Sequence, residues 1–329
     1  MSSISTAGPS TIGRYYRPEL DVLRLIAFLF VFLVHRMDFL PIDPAKHFWL
    51  YNFCLLGDFG VPVFFLLSAF LITELLLREN DQTGTIHVKA FYMRRILRIW
   101  PLYSAVFFGL VLLARFLHGA GPRAPGSWLA FTFFAGNWYI SSYGWIPAYP
   151  VNPLWSISVE EQFYIAIPLL ALYVGRRGLK AVSVFLLAIA YVLVINYARH
   201  PKHGFSSQWT NSFVQFQFFS AGTLLSLSLY LNGHLPRWHG PVRIAAAVAA
   251  VGCWLVASMV FGVQADTPHS TALGAPIGWA LLLVGRTWLI RFSDVLHRPN
   301  WRNGIGTVST LGATILLAHL LTAFMSGHF

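Results

Sequence analysis

The first long apolar segment of the sequence carries ionisable side chains that a membrane-buried helix normally excludes. Arg24 and His35 lie eleven residues apart in this segment. At about 100° and 1.5 Å per residue, both side chains fall on nearly the same helix face, about 16 Å apart. Imidazole is the side chain best suited to proton transfer near neutral pH. The spacing therefore leaves two interpretations of His35 open, a general base or a structural hydrogen bond.

A second group of charges is the arginine cluster at residues 94–98. Arg95 and Arg98 are three residues apart, and Arg94 and Arg98 are four apart, so a helix would place them on neighbouring faces. Guanidinium groups pair well with phosphate oxygens, which favours an anion-binding site. An ordinary cytoplasmic membrane anchor would show the same three arginines, and both interpretations remain open.

Two adjacent carboxylates, Glu160 and Glu161, begin a further apolar segment. Acidic groups are favoured at a helix N-terminus by the helix dipole. Because adjacent residues point about 100° apart, at most one of the two is expected to face a given site directly. In the segment 60–73, the small residues Ser68 and Ala69 predict close helix packing. The elbow motif of serine hydrolases is absent there, so Ser68 is not predicted to be a nucleophile.

The composition identifies the class of protein that must position these side chains. Of the 329 residues, 56% are hydrophobic and 11% are charged. A soluble domain has about 25% charged residues, so the composition excludes a soluble globular protein. The net charge of +11 is explained by basic residues in cytoplasmic loops that face anionic lipid, and no nucleic-acid partner is predicted. The two cysteines form no metal-binding pattern, and no metal cofactor is predicted.

Nine segments are apolar and long enough to cross a hydrocarbon core of about 30 Å. They are Leu20–Leu40, Phe59–Leu77, Ile99–Leu117, Trp155–Val174, Ala181–Ala198, Phe213–Leu231, Ile244–Val263, Ala272–Ile290 and Ile305–Phe324. A tenth, Trp128–Ile140, is shorter and is predicted to be re-entrant or interfacial. The predicted fold class is an all-α polytopic integral membrane helix bundle with about nine to ten transmembrane segments. Residues 1–19 are predicted to form a cytoplasmic tail, and residues 20–329 one membrane domain.

The positions of basic residues predict how the segments are oriented. Arg14, Arg17 and Arg24 place the N-terminus in the cytoplasm. If Trp128–Ile140 does not cross, the later basic loops also fall on the cytoplasmic side, and if it crosses they fall outside. The charge pattern therefore favours nine full crossings and one partial segment. No removable signal peptide is predicted at the N-terminus.

Four segments together resemble the membrane-bound acyltransferase-3 family, bacterial O-acyltransferases that modify cell-surface glycans and related molecules. In the order that this family shows, they are residues 17–35, 60–73, 92–103 and 153–164. The segment Trp155-Ser-Ile-Ser-Val-Glu-Glu-Gln-Phe-Tyr164 is the most specific of them. The sequence departs from the family pattern at Val22 and Leu25, at Ala69, and at His319, which is displaced from the family's position.

The resemblance implies roles for six residues. It implies catalytic roles for His35, Glu160 and Glu161, and it implies that Arg24, Arg95 and Arg98 bind the donor. The implied enzyme is an acyltransferase that uses acyl-CoA, most often acetyl-CoA, as its donor substrate. The implied acceptor is a hydroxyl of a cell-surface glycan or lipid-linked sugar, and the implied location is the bacterial inner membrane.

Two other classes of function use the same residues. A transporter or flippase of an acylated or polyprenyl-linked saccharide would use the intramembrane charges as a binding path. Inverted repeats would favour it, and none is evident. A non-enzymatic scaffold or sensor would tolerate neutralisation of these charges. Turnover of acyl-CoA would distinguish the enzyme from both.

Overall fold

The computed structural model describes residues 18–36, 42–43, 45–118, 126–146, 151–200, 206–232, 240–263 and 273–293. The predicted segment Ile305–Phe324 and His319 lie outside the described residues. Every regular element in the described part of the chain is helical. The helices are α1 (Pro18–Arg36), α2 (Phe48–Leu55), α3 (Gly60–Thr83), α4 (Val88–His118), α5 (Ser127–Thr132), α6 (Gly136–Tyr143), α7 (Trp155–Arg199), α8 (Ser206–Thr210), α9 (Ser212–Asn232), α10 (Gly240–Met259) and α11 (Gly274–Ser293).

Three stretches of the described residues are long and apolar enough to cross a membrane, namely Phe48–Thr83, Val88–Leu113 and Asn152–Arg199. The all-helical membrane architecture is therefore confirmed. The number of nine to ten crossings stays a prediction, because Ile244–Met259 and Gly274–Gly285 are apolar helices of shorter length.

Helix α1 packs closely along the start of α3, and two glycines allow the approach. A Cβ atom at Gly57 would lie 2.2 Å from the carbonyl oxygen of Phe30, and one at Gly60 would lie 2.4 Å from that of Ala27. Moving three residues forward, from Gly57 to Gly60, thus corresponds to moving three residues back in α1, from Phe30 to Ala27. The two helices are therefore antiparallel, with glycine letting the backbones touch.

The centre of the bundle contains α3, the first half of α7, and α9, which run in the same direction. The ring of Phe219 stacks on Phe65 with a centroid distance of 4.7 Å, and it lies 4.4 Å from the ring of Phe163. Helix α4 runs antiparallel to α7, since the Tyr92 hydroxyl donates to the carbonyl of Ile165 at 2.7 Å while residues further along α4 contact earlier residues of α7. Aromatic contacts therefore hold the helices that carry the motif residues.

A turn at Gly175 divides α7 into two halves. The residue has a φ of 61° and a ψ of −168°, a conformation that glycine adopts without strain. At its far end α7 is joined to the start of α9, where Asn211 donates to the hydroxyl of Tyr197 at 3.0 Å. The second half therefore runs back along the bundle. The halves coincide with the apolar segments predicted at 155–174 and 181–198.

Four side chains tie this turn to the ends of α3 and α9. Asp81 accepts hydrogen bonds from both Arg176 and the Tyr230 hydroxyl. The guanidinium carbons of Arg176 and Arg78 lie 5.0 and 5.9 Å from the centroid of the Tyr230 ring. We call these four residues the Asp81 cluster. It brings the basic residues that follow α3 and those within α7 to one end of the bundle, the basic end.

The segment predicted to be re-entrant forms two short helices, α5 and α6, at the opposite end. They contain six and eight residues, so neither alone can cross a core of about 30 Å. The break between them includes Phe134, whose φ of 54° is unusual for a residue other than glycine. Asn137 of α6 donates to Thr210 and Ser212 beside the start of α9, far from the basic end.

The close approach of α9 to α3 provides a test of this packing. A Cβ atom at Gly222 would lie 2.3 Å from the carbonyl oxygen of Leu66 and 2.9 Å from the Cβ of Ala69. We expect Gly222→Ala to lower the free energy of unfolding by about 1–3 kcal/mol, because the helices must separate. Thermal unfolding in detergent measures the change. Gly252→Ala is the matched control, since nothing lies within 4 Å of a Cβ at that position. Equal melting temperatures for the two variants would contradict the packing.

Candidate active site

Glu160 lies at the centre of a group of polar side chains between α3, α4 and α7. Its Oε1 accepts a hydrogen bond from the Ser68 hydroxyl at 2.5 Å and another from the hydroxyl of Tyr164. Ser68 lies eight residues into α3, and Tyr164 follows Glu160 by one helical turn. The carboxylate is therefore held inside the bundle by two hydroxyl donors on two helices.

The guanidinium of Arg95 lies over the ring of Tyr164, 4.9 Å from its centroid, and 5.6 Å from that of Phe91. Its electrostatic partners include the carboxylate of Glu160 and two further cations, Arg98 and Arg24. The structure thus brings together the three arginines and one of the carboxylates that the sequence singles out. Arg24 is also paired with Asp21, so these three arginines and two carboxylates leave one net positive charge, which would attract an anion.

The start of α4 explains why Arg95 lies so deep. The predicted segment begins at Ile99, but α4 begins eleven residues earlier, at Val88. Arg95 is therefore in the second turn of a helix already packed on α7, and it is only partly exposed. Arg98 is one turn further along and exposed. Arginines lower the mean hydropathy of a window, so the hydropathy profile places the helix start too late.

Glu161 points away from this group, as adjacent helical positions require. Its side chain is buried, with 4% of the residue exposed, and its Oε2 accepts a hydrogen bond from the indole Nε1 of Trp100 at 3.0 Å. Within the part of the chain that the structure describes, Oε1 has no hydrogen-bond partner. The two carboxylates therefore occupy separate environments, one beside arginines and one beside an indole.

His35 lies at a different depth from Glu160. Extending the antiparallel alignment of α1 and α3 by about 1.5 Å per residue places Ser68 level with Asp21, and His35 about 20 Å further along α1. The imidazole Nδ1 lies 2.7 Å from the carbonyl oxygen of Val31. That carbonyl can only accept, so this hydrogen bond places a proton on Nδ1, and in the neutral imidazole the lone pair is then on Nε2. The structure brings Arg24, but not His35, to the Glu160 group; Arg24 also pairs with Asp21 at 2.8 Å.

Sequence reasoning missed four participants, namely Ser68, Trp100, Gln162 and Tyr164. Tyr164 and Gln162 were visible as members of one motif, and Tyr164 stands one turn after Glu160. Ser68 and Trp100 contact residues that are 92 and 61 positions away in sequence, and no local pattern signals such contacts. Among the described residues, no three His, Cys, Asp or Glu side chains come together as a metal site requires.

Comparisons with known proteins identify the family to which this chain belongs. The profile of the family described as "Acyltransferase domain" matches residues 17–328. The chain is 32% identical over 165 residues to the peptidoglycan O-acetyltransferase OatA of Listeria monocytogenes, a match that covers 47% of this chain and 24% of the relative. It is 32% identical over 161 residues to a candidate O-acetyltransferase of Staphylococcus aureus strain MSSA476, with the same coverage.

A third relative is YrhL of Bacillus subtilis, a candidate peptidoglycan O-acetyltransferase that is 31% identical over 197 residues, which is 55% of this chain and 29% of the relative. The matches thus cover about a quarter of the length of these curated relatives. No solved structure shows a significant match. Because the family profile covers nearly the whole sequence, this chain belongs to the acyltransferase-3 family.

Proposed function

We propose that this chain is a membrane O-acyltransferase that moves an acyl group, in the first instance acetyl, from acyl-CoA to a hydroxyl of a cell-surface glycan or lipid-linked sugar. One observation carries the proposal: Arg95 lies beside Glu160 with Arg98 and Arg24 near it, and the imidazole of His35 lies about 20 Å from the level of Glu160 along the helix that carries Arg24. This separation suits a donor with an anionic head and a long arm ending in a thioester.

The donor binds with its phosphates at Arg95, Arg98 and Arg24. Guanidinium forks form charge-assisted hydrogen bonds with phosphate oxygens, and such bonds strengthen inside a bundle from which water is excluded. Glu160 and the Tyr164 ring hold Arg95 in place before the donor arrives. The pantetheine arm then extends along α1 toward His35.

At His35 the acceptor hydroxyl attacks the thioester carbonyl carbon. Nε2 of His35 takes the hydroxyl proton as the new C–O bond forms, and the C–S bond breaks as the CoA thiolate leaves. The same proton neutralises the thiolate, so the reaction balances without a metal ion. Glu161 takes no proton in this step, because it lies about as far from His35 as Glu160 does. It is proposed as the carboxylate partner of His35 in a proton relay through the bundle, and its buried carboxylate is held by the indole of Trp100.

The basic end is proposed to face the cytoplasm, where acyl-CoA is available, and the membrane is proposed to be the bacterial inner membrane. Basic residues of membrane proteins concentrate in cytoplasmic loops, which supports this orientation. The relatives named peptidoglycan O-acetyltransferases support a glycan of the cell surface as acceptor.

The experiment uses the full chain in lipid nanodiscs with acetyl-CoA labelled in the acetyl group. We expect the wild-type protein to release free CoA, and to do so faster when peptidoglycan fragments are added as acceptor. Label should appear on the fragments as an ester that mild base removes. Movement of a labelled polyprenyl-linked saccharide across proteoliposomes without any CoA release would contradict the proposal and favour a flippase.

A further inference from the structure

The three consecutive motif residues 160–162 each contact a different part of the bundle, and the third has no assigned role. Glu160 contacts α3, and Glu161 contacts α4. The carboxamide of Gln162 instead faces the break between α5 and α6. We propose that Gln162 is a positioning residue, which acts through Phe134 and Trp100 to hold the Glu161 carboxylate for acyl transfer. The inference rests on the acyltransferase activity proposed above.

The carboxamide of Gln162 uses its full hydrogen-bonding capacity. Its Nε2 donates to the carbonyl oxygen of Phe134 at 3.0 Å and to Oδ1 of Asn137 at 2.9 Å. Its Oε1 accepts from the indole of Trp138 at 3.2 Å and from the hydroxyl of Ser212 at 2.5 Å. An amide offers two donors and about two acceptor sites, so every one is filled. One side chain thus joins α7 to α6, to α9 and to the α5–α6 break.

The bond to Phe134 matters most, because Phe134 has a backbone conformation that its side chain disfavours. A φ of 54° persists in a phenylalanine only where the surroundings enforce it. The Gln162 amide holds the carbonyl of that residue. This conformation directs the Phe134 ring onto Trp100 and Tyr103, with centroid distances of 5.3 and 4.4 Å.

Trp100 completes the connection to the carboxylate. Its indole packs on the Phe134 ring on one side and donates to Oε2 of Glu161 at 3.0 Å. Trp100 lies on α4 with 40% of the residue exposed, and the Phe134 ring covers one side of its indole. Without the Phe134 ring, the indole could rotate away and leave the buried carboxylate without its donor. Gln162 therefore influences Glu161 without touching it.

The test is a double-mutant cycle in full-length protein. Gln162→Glu keeps both acceptor bonds to Oε1 but removes the two N–H donors, and Trp100→Phe removes the indole donor while keeping an aromatic ring. We expect each variant to lower kcat for CoA release by about 10- to 100-fold, with KM for acetyl-CoA changed less than about 3-fold. Because both act on one carboxylate, the double variant should be no slower than the slower single variant.

Gln82→Glu is the matched control, since Gln82 is exposed near the end of α3. Multiplicative effects on kcat in the double variant, or a change confined to KM, would overturn the inference. If Gln162→Glu fails to fold, Gln162→Asn replaces it, because it keeps an uncharged amide. Absence of CoA release by the wild type would instead contradict the proposed function, so the two failures are distinguishable.

Discussion

Replacing His35 by asparagine is expected to lower the rate of acyl transfer from acetyl-CoA by about 100- to 10,000-fold, the usual contribution of a general base. The asparagine amide nitrogen occupies nearly the position of Nδ1, so it can still donate to the carbonyl of Val31. What is lost is Nε2, the atom with the free lone pair. The variant therefore separates the base from the structural hydrogen bond.

The rate is measured as release of CoA and as label on the acceptor. His87→Asn is the control, because His87 is exposed between α3 and α4. Binding of acetyl-CoA should be unchanged in both proteins, because the phosphates bind far from His35 in the proposed mechanism. Full activity of His35→Asn in a well-folded protein would exclude His35 as the base.

The second large effect is expected at Arg95. Arg95→Gln removes a cation that lies over the Tyr164 ring and near Glu160. A hydrogen bond to a charged group is worth about 1.5–3 kcal/mol, so the affinity for acetyl-CoA should fall by about 10- to 150-fold. Arg95→Lys should retain only part of this affinity, because an ammonium group cannot form the paired hydrogen bonds or the ring stacking of a guanidinium group.

Titration of acetyl-CoA binding by calorimetry measures this change directly. Arg177→Gln is the control, because Arg177 is an exposed arginine beside the Gly175 turn. We expect the loss at Arg95 to appear in KM more than in kcat, the opposite of the pattern at His35. Unchanged affinity in Arg95→Gln would remove this residue from the donor site.

The sequence was sufficient for the helical membrane class and for the charged residues near Glu160, namely Arg24, Arg95 and Arg98, but not for Ser68 and Tyr164. Both follow from local quantities, since hydropathy reports partitioning into lipid and a costly charge in an apolar segment indicates a specific role. The sequence also predicted that the segment 128–140 is too short to cross the membrane as one helix, and the structure shows two short helices there. The division of the two carboxylates between different neighbours follows from helical geometry.

Contacts between segments that are far apart in the chain could not be predicted from the sequence. The bond from Ser68 to Glu160 joins residues 92 positions apart, and Ser68 looked like a packing residue because its partner is on another helix. The depth of Arg95 depends on where α4 begins, which arginines obscure in a hydropathy profile. The separation of His35 from Glu160 depends on how α1 slides along α3, and backbone contact at glycines sets that alignment.

The Asp81 cluster has a consequence for the order in which the chain can assemble. Its members stand at positions 78, 81, 176 and 230, so Asp81 and Tyr230 are separated by 149 residues. During synthesis, α3 enters the membrane long before either of its partners exists. Asp81, near the end of α3, has neither partner until the turn of α7 and the last turn of α9 have been synthesised. The basic end is therefore the last part of this core to close, and a nascent chain shorter than about 230 residues leaves it open.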